Sequence, residues 1–148
     1  MAVAGVHKIE ELYKNAAGLR IAKNKVKELS DYIDGKFHDL LIAAQANAKM
    51  NGRDVIAYSD MPFTKAFRES MQKFEALDEM LSLDEILAHI ATLPPKYTLE
   101  ADLEADMPKI VGTLIYILAN ITKEFSTDDK VVSEAEHEAA ERVMDLTI

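Results

Sequence analysis

Glu134 and His137 stand in the Glu-x-x-His spacing with which one face of a helix presents a carboxylate and an imidazole to a metal. A dinuclear centre of that kind needs two such motifs and two further inward glutamates, and this chain carries one motif. His38 beside Asp39, and His89 four residues after Glu85, are each spaced for one local hydrogen bond rather than for a ligand set. The tandem Leu99-Glu-Ala-Asp, Leu103-Glu-Ala-Asp lines up Glu100, Asp102, Glu104 and Asp106 where a helix begins. Acids suit the positive end of a helix without any bound cation. There is no cysteine, no glycine-framed serine and no phosphate-cradling glycine loop to support nucleophilic or nucleotide chemistry. The expectation is a non-enzymatic protein with no catalytic residue, no metal, no cofactor and no small-molecule substrate.

The remaining chemistry is charge. The chain carries 17 Lys plus Arg against 26 Asp plus Glu, a net charge of -9, and the halves differ in sign. Residues 1–74 hold 12 basic and 9 acidic side chains, whereas residues 75–148 hold 5 and 17. An anionic partner must therefore address the first half, where Arg20, Lys23, Lys25 and Lys27 cluster in a short connector.

The elements that would position these residues are helices. Only 5 Gly and 4 Pro interrupt a chain rich in Ala, Leu, Glu, Lys and Met, which predicts an all-α class. The spacing predicts a short helix over Val6–Ala17, closed by Gly18, and then the basic connector. Val26, Leu29, Ile33, Phe37, Leu40, Leu41, Ala44 and Ala48 recur at three- and four-residue steps, the mark of one long amphipathic helix ended by Asn51-Gly52. A β-branched patch, Val55-Ile56, precedes a third helix that starts near Pro62 and carries Phe63, Phe67, Phe74, Leu77 and Leu81.

The order then restarts. Ser82 and Glu85 form a capping-box pattern for a helix over Leu83–Leu93, which Pro94-Pro95 stops. A second long helix is expected over Thr98–Phe125, with Pro108 kinking it or marking its true start. Lys130-Val131-Val132 makes an extended patch, and Ser133 with Glu136 caps a last helix ending near Leu146. Methionines such as Met50, Met61, Met71, Met80 and Met144 sit at helical spacings suited to filling core gaps. Neither long stripe can be covered within its own half, so the expected arrangement is a single compact domain over residues 1–148. Its two units are residues 1–80 and 81–148.

This twice-repeated short, long, short order resembles the histone fold, and Asn51 to Asp60 looks like the turn that links its long helix to its last one. In that family an arginine opening the turn pairs with an aspartate seven residues on, and Arg53 and Asp60 match in identity and spacing. A planar guanidinium can clamp the turn through two parallel hydrogen bonds. With the second half as a divergent unit, the chain is similar to a bacterial family of double histone-fold proteins of uncharacterised function, an intramolecular pseudodimer. Aligning Val132-Ser133 with Ile56-Ala57 puts Asp129 and Glu136 at the clamp positions of the second unit, where two acids cannot pair.

The resemblance implies DNA contacts through paired loops and helix amino termini. Asp54 and Val55 follow Arg53 where DNA-wrapping relatives are typically basic and hydroxylated, and the matching turn of the second unit, Asp128-Asp129-Lys130, is net negative. Arg20, Lys23, Lys25 and Lys27 are the nucleic-acid contacts that remain, and they predict weak DNA binding at most. The expectation therefore favours a protein interaction or scaffolding module, with a protein partner or self-association ahead of nucleic acid. The longest apolar run, Ile110–Ile121, is too short to span a bilayer, so no membrane partner is expected. Nothing in Met1–Glu10 resembles a signal segment, and a cysteine-free chain suits a reducing cytoplasm.

Overall fold

In α1 (Val3–Ala17), Ile9, Leu12 and Tyr13 fall on one face and are fully buried. Gly18 ends the helix at φ +69°, a conformation that costs glycine nothing, and its N–H returns to the Lys14 carbonyl at 2.9 Å. The computed structural model describes residues 3–126 and 131–148. A 3-10 turn at Lys23–Lys25 leads into α2 (Val26–Met50), in which all eight residues of the expected stripe are buried. The Asn51 and Arg53 N–H groups both return to the Ala48 carbonyl and turn the chain out of α2.

The remaining elements are β1 (Val55–Ile56), a 3-10 turn at Tyr58–Asp60, α3 (Lys65–Leu81), α4 (Asp84–Leu87), β2 (Thr98–Leu99), α5 (Ala101–Ala105), α6 (Met107–Phe125) and α7 (Glu134–Thr147). The fold is thus mostly helical, and its short extended segments pair crosswise. β1 of the first half runs parallel to β2 of the second, with Val55 opposite Thr98 and Ile56 opposite Leu99. At the other end Arg20 bridges Val131 in parallel, and the Val132 N–H donates to the Arg20 carbonyl at 2.8 Å. The segment after α1 therefore pairs with the segment before α7, and the segment after α2 with the one before α5.

Between these two ties α6 lies against α1, α2, α3, α4 and α7. Its first half is buried almost all round, from Ile110 through Ile115. α3 comes close at Gly112, where a Cβ would lie within 2.6 Å of Cε1 and Cε2 of the buried Phe74 ring. The ring occupies the space that any larger residue would claim.

Several expectations are corrected. The helix expected over Leu83–Leu93 is one turn, Asp84–Leu87. Asp34 of α2 accepts the Thr92 N–H at 3.2 Å and His38 meets the Thr92 carbonyl at 3.0 Å, so tertiary partners take the groups that a longer helix would use. Ser82 is not an N-cap: it closes α3 at φ 54°, Leu83 takes the cap position of α4 without a side-chain cap hydrogen bond, and the Leu83 N–H turns back to the Asp78 carboxylate. The second long helix does not begin at Thr98, because Thr98-Leu99 is drawn into β2 and the chain turns at Asp106. Pro108 marks the true start of α6.

α3 begins at Lys65, with the Thr64 hydroxyl accepting the Phe67 N–H at 3.0 Å. In α6, Val111, Ile115, Leu118 and Ala119 are buried in the core, while Phe125 at its end is exposed. Met61, Met71 and Met144 fill the core, whereas Met50 and Met80 are exposed. The Ser133 and Glu136 box forms reciprocally at the head of α7. Among the described residues no helix is long and apolar enough to cross a membrane.

Candidate functional site

Among the described residues, three polar places lie at or beside the sequence candidates. The first is the turn after α2. Arg53 donates from both terminal nitrogens to Asp60, at 2.6 and 2.8 Å, and also to the Val55 carbonyl at 3.1 Å. The Ala57 N–H donates to Asp60 Oδ2 at 2.7 Å, and Asn47 donates to the Asp60 carbonyl at 2.8 Å. Asp60 is 2 % exposed and Arg53 39 %. A buried carboxylate meets a fork whose outer edge stays wet.

The Arg53 hydrogen bonds, then that of Ala57, hold the Asp60 carboxyl down at about 2, below the ordinary aspartate value of 3.8. Since the folded value is depressed, this stabilisation is complete above pH 3.8 and is lost as pH falls through about 2. Asp60→Asn is therefore expected to flatten the acid limb of the stability curve between those values. Arg53→Ala and Asp60→Ala should each lower the thermal midpoint by several degrees, with clear coupling in the double-mutant cycle. Additive effects would mean that the two side chains act independently.

The second place is the basic connector. Arg20 and Lys23 are exposed and form no ion pair among the described residues. Lys25 Nζ lies 3.7 Å from Glu28 and 3.5 Å from Glu134, and Lys27 lies 3.7 Å from Asp31. The structure thus brings two of the four cations onto carboxylates of the chain itself. The acidic turn Asp128-Asp129-Lys130 lies outside the described residues.

The third place is a cleft of about 320 Å³ between the start of α2 and α7, with Ile21, Tyr32 and Val132 as apolar walls. Its rim carries Glu28 and Asp31 from α2, and Glu134, Glu138 and Glu141 from α7, with Lys25 at one end. Beside it, the Tyr32 hydroxyl donates to Asp145 Oδ1 at 2.7 Å, with the Glu141 carbonyl at 3.0 Å as a second acceptor. Lys36, 7 % exposed, closes the set with Nζ 2.7 Å from Asp145 Oδ1. Hydrogen bonds from Lys36 and Tyr32 pull the Asp145 carboxyl below its usual range. Burial first, and then Asp145, Glu138 and Glu28, push the Glu141 carboxyl up.

His137 also lines this cleft. Its ring is almost fully buried, and neither nitrogen has a hydrogen-bond partner among the described residues. Glu141 Oε2 is 3.1 Å from Nε2, close enough for attraction yet off the direction of a ring hydrogen bond. Burial holds the imidazole below its ordinary value, so near neutrality it is uncharged.

The other sequence candidates do not converge. Asp102 accepts its neighbour Leu103 N–H, and Asp106 accepts the Tyr58 hydroxyl at 2.6 Å, while Glu100 and Glu104 point to water. His38 meets the Thr92 carbonyl across the fold at 3.0 Å and lies 3.4 Å from Asp34 one turn back on its own helix, and His89 is exposed. Among the described residues no group of three His, Asp or Glu side chains is arranged to hold a metal ion. Sequence reasoning missed Tyr32 with Lys36 on α2, and Glu141 with Asp145 on α7. Each pair is four residues apart and so shares a helix face, which was the available signal.

The architecture and its polar sites are those of a mostly helical protein whose halves are tied by crosswise parallel pairing and which carries an acidic cleft between α2 and α7. The chain belongs to the family described as a domain of unknown function, DUF1931, which matches residues 9–145. An uncharacterised protein of Aquifex aeolicus (strain VF5) is 27 % identical over 132 residues, covering 88 % of this chain and 77 % of its own length. A crystal structure from Thermus thermophilus is similar with a TM-score of 0.86 at 38 % identity, covering 97 % of both chains. A second, from Aquifex aeolicus, has a TM-score of 0.82 at 26 % identity, covering 97 % of this chain and 95 % of that one.

Proposed function

We propose that the chain is a single-chain histone-fold pseudodimer, residues 1–80 forming one unit and residues 81–148 the other, that works without catalysis as a protein interaction or scaffolding module. The crosswise ties support the fold reading, because each unit's loop after its first helix pairs in parallel with the other unit's loop before its last. Arg53 and Asp60 then act as the turn clamp of the first unit. The observation that carries the functional reading is that Lys25 and Lys27 lie 3.5–3.7 Å from Glu28, Glu134 and Asp31, so the connector's positive charge is met by carboxylates of the chain itself. A phosphate approaching the connector would meet the repulsion of those carboxylates. Apolar side chains standing in water, Ile42, Met50, Met80 and Leu146 among them, offer surface that docking against a protein would cover. A cysteine-free chain of this kind suits the cytoplasm.

The second reading, a weak nucleoid-associated DNA binder, is favoured by Arg20 and Lys23, which remain exposed. Counterion release decides between the two. A protein that neutralises Z phosphates loses affinity with a log-log salt slope of about -0.9Z, and Z cannot usefully exceed the four connector cations. Fluorescence-anisotropy titration against a random duplex is expected to give no stable complex at ~150 mM salt and a shallow slope at low salt, abolished when the four are changed to glutamate. Submicromolar affinity at ~150 mM salt, or a slope steeper than about -6, would establish the DNA-binding reading instead.

A further inference from the structure

Asn51-Gly52, which ends α2, is the one Asn-Gly step in the chain; Asn15, Asn24, Asn47 and Asn120 are followed by Ala, Lys, Ala and Ile. An asparagine before glycine readily loses its side-chain amide, because no side chain shields the next backbone nitrogen from the asparagine's own carboxamide. Here both residues are exposed, Gly52 holds φ +71°, and nothing lies within 4 Å of the position a Cβ would take.

The same two residues close the helix. The Gly52 N–H donates to the Lys49 carbonyl at 3.0 Å and the Arg53 N–H to the Ala48 carbonyl at 2.9 Å, the paired bonds of a left-handed helix stop. The Asn51 side-chain amide donates to the Asn47 carbonyl at 2.9 Å. These bonds hold the reacting groups apart, but they lie at a helix end, where local opening costs little. Asp34-Gly35 offers the same cyclisation from an acid, yet it lies inside α2, where the backbone nitrogen is freed far less often.

We propose that Asn51-Gly52 is a site of spontaneous deamidation whose product undoes the turn that Arg53 and Asp60 clamp. When the helix end frays, the Gly52 nitrogen attacks Asn51 Cγ. An N–Cγ bond forms, the Cγ–Nδ2 bond breaks, and the Gly52 proton leaves with the departing nitrogen as ammonia. Water then opens the cyclic imide. Opening at Cγ leaves aspartate, whereas opening at the main-chain carbonyl leaves isoaspartate, with the link to Gly52 running through Cβ. That link lengthens the main chain by one methylene, so the Gly52 and Arg53 N–H groups lose the register in which they reach Lys49 and Ala48. Either product also places a negative charge at the carboxyl end of a 25-residue helix, where the macrodipole opposes it. Arg53 carries its fork on the segment that shifts, and the clamp to Asp60 loosens with it.

The test is ageing of the full chain at neutral and at mildly alkaline pH, with peptide mass spectrometry locating each amide-to-acid conversion and electron-transfer fragmentation separating aspartate from isoaspartate. Conversion at Asn51 is expected about tenfold faster than at any other asparagine, because a helix end opens at little cost, and should accelerate with hydroxide. The isoaspartyl form, isolated by ion exchange, should melt several degrees below the fresh protein. Asn51→Gln keeps an amide at an exposed position but closes the imide ring poorly, and should abolish both changes. Fresh Asn51→Asp carries the charge without the added methylene and should melt between the two. In the isoaspartyl form Arg53→Ala should lower the midpoint less than it does in the fresh protein, since the clamp is already loose. Equal conversion at all five asparagines would overturn the site. An isoaspartyl form that keeps its midpoint and the full effect of Arg53→Ala would overturn the consequence.

Discussion

Residues 1–80 expressed alone are expected to aggregate, to pair with a second copy or to stay unfolded, and not to melt as a cooperative monomer. The reason lies in what each buried face touches. Cutting there removes α6, against which α1, α2 and α3 all pack, and leaves Ile9, Leu12, Ile33, Phe37 and Phe74 without much of their cover. β1 loses β2, and the Arg20 segment loses its partner at Val131 and Val132. A fragment of that size buries too little surface to offset its chain entropy once the shared core is gone. Sedimentation and circular dichroism on the fragment check this, and a monodisperse monomer with a sharp melt would show that the first unit is an independent domain.

Gly112 supplies the second large effect, because two identical substitutions should act with opposite signs. Gly35 lies on the exposed face of α2 with nothing within 4 Å of the position a Cβ would take. Gly35→Ala is expected to stabilise by roughly 1 kcal/mol through helix propensity alone. At Gly112 the same methyl group would be driven into the Phe74 ring, which is itself fully enclosed and cannot swing aside. Gly112→Ala should therefore destabilise despite the propensity gain, and Gly112→Val should cost about 3 kcal/mol. Urea unfolding measures both. Shrinking the ring with Phe74→Leu should make Gly112→Ala far less harmful, a coupling that separates overpacking from any intrinsic fault in α6.

The legible parts of the fold were those written in local pattern. The α2 stripe from Val26 to Ala48 could be read residue by residue, because a helix that covers one continuous core repeats its apolar positions at its own period. The stop at Gly18, the reciprocal box of Ser133 with Glu136 and the start at Pro108 were equally local. Ser82 with Glu85 matched the same box and did not form one. The signature says which groups could bond, and the left-handed Ser82 that ends α3 put them out of reach.

The candidate site was far less legible. Glu134 and His137 drew notice as a metal spacing, yet the structure buries His137 against Glu141, and Lys36 and Tyr32 gave no motif at all. Their partners Glu141 and Asp145 lie about a hundred residues away along the chain. No periodicity within one helix can record which face of another it will meet.

Composition and local spacing were enough to set the helical class, the long α2 with its core face, the absence of cysteine chemistry and the uneven charge of the two halves. These are properties that act within a turn or two, where local energetics operate alone. It took the packed molecule to join β1 with β2 and Arg20 with Val131, to place Lys25 and Lys27 on the chain's own acids, and to enclose an acidic cleft around His137 between α2 and α7. Strand pairing, ion pairing and desolvation depend on distances across the fold, and those distances exist only once the two halves have packed.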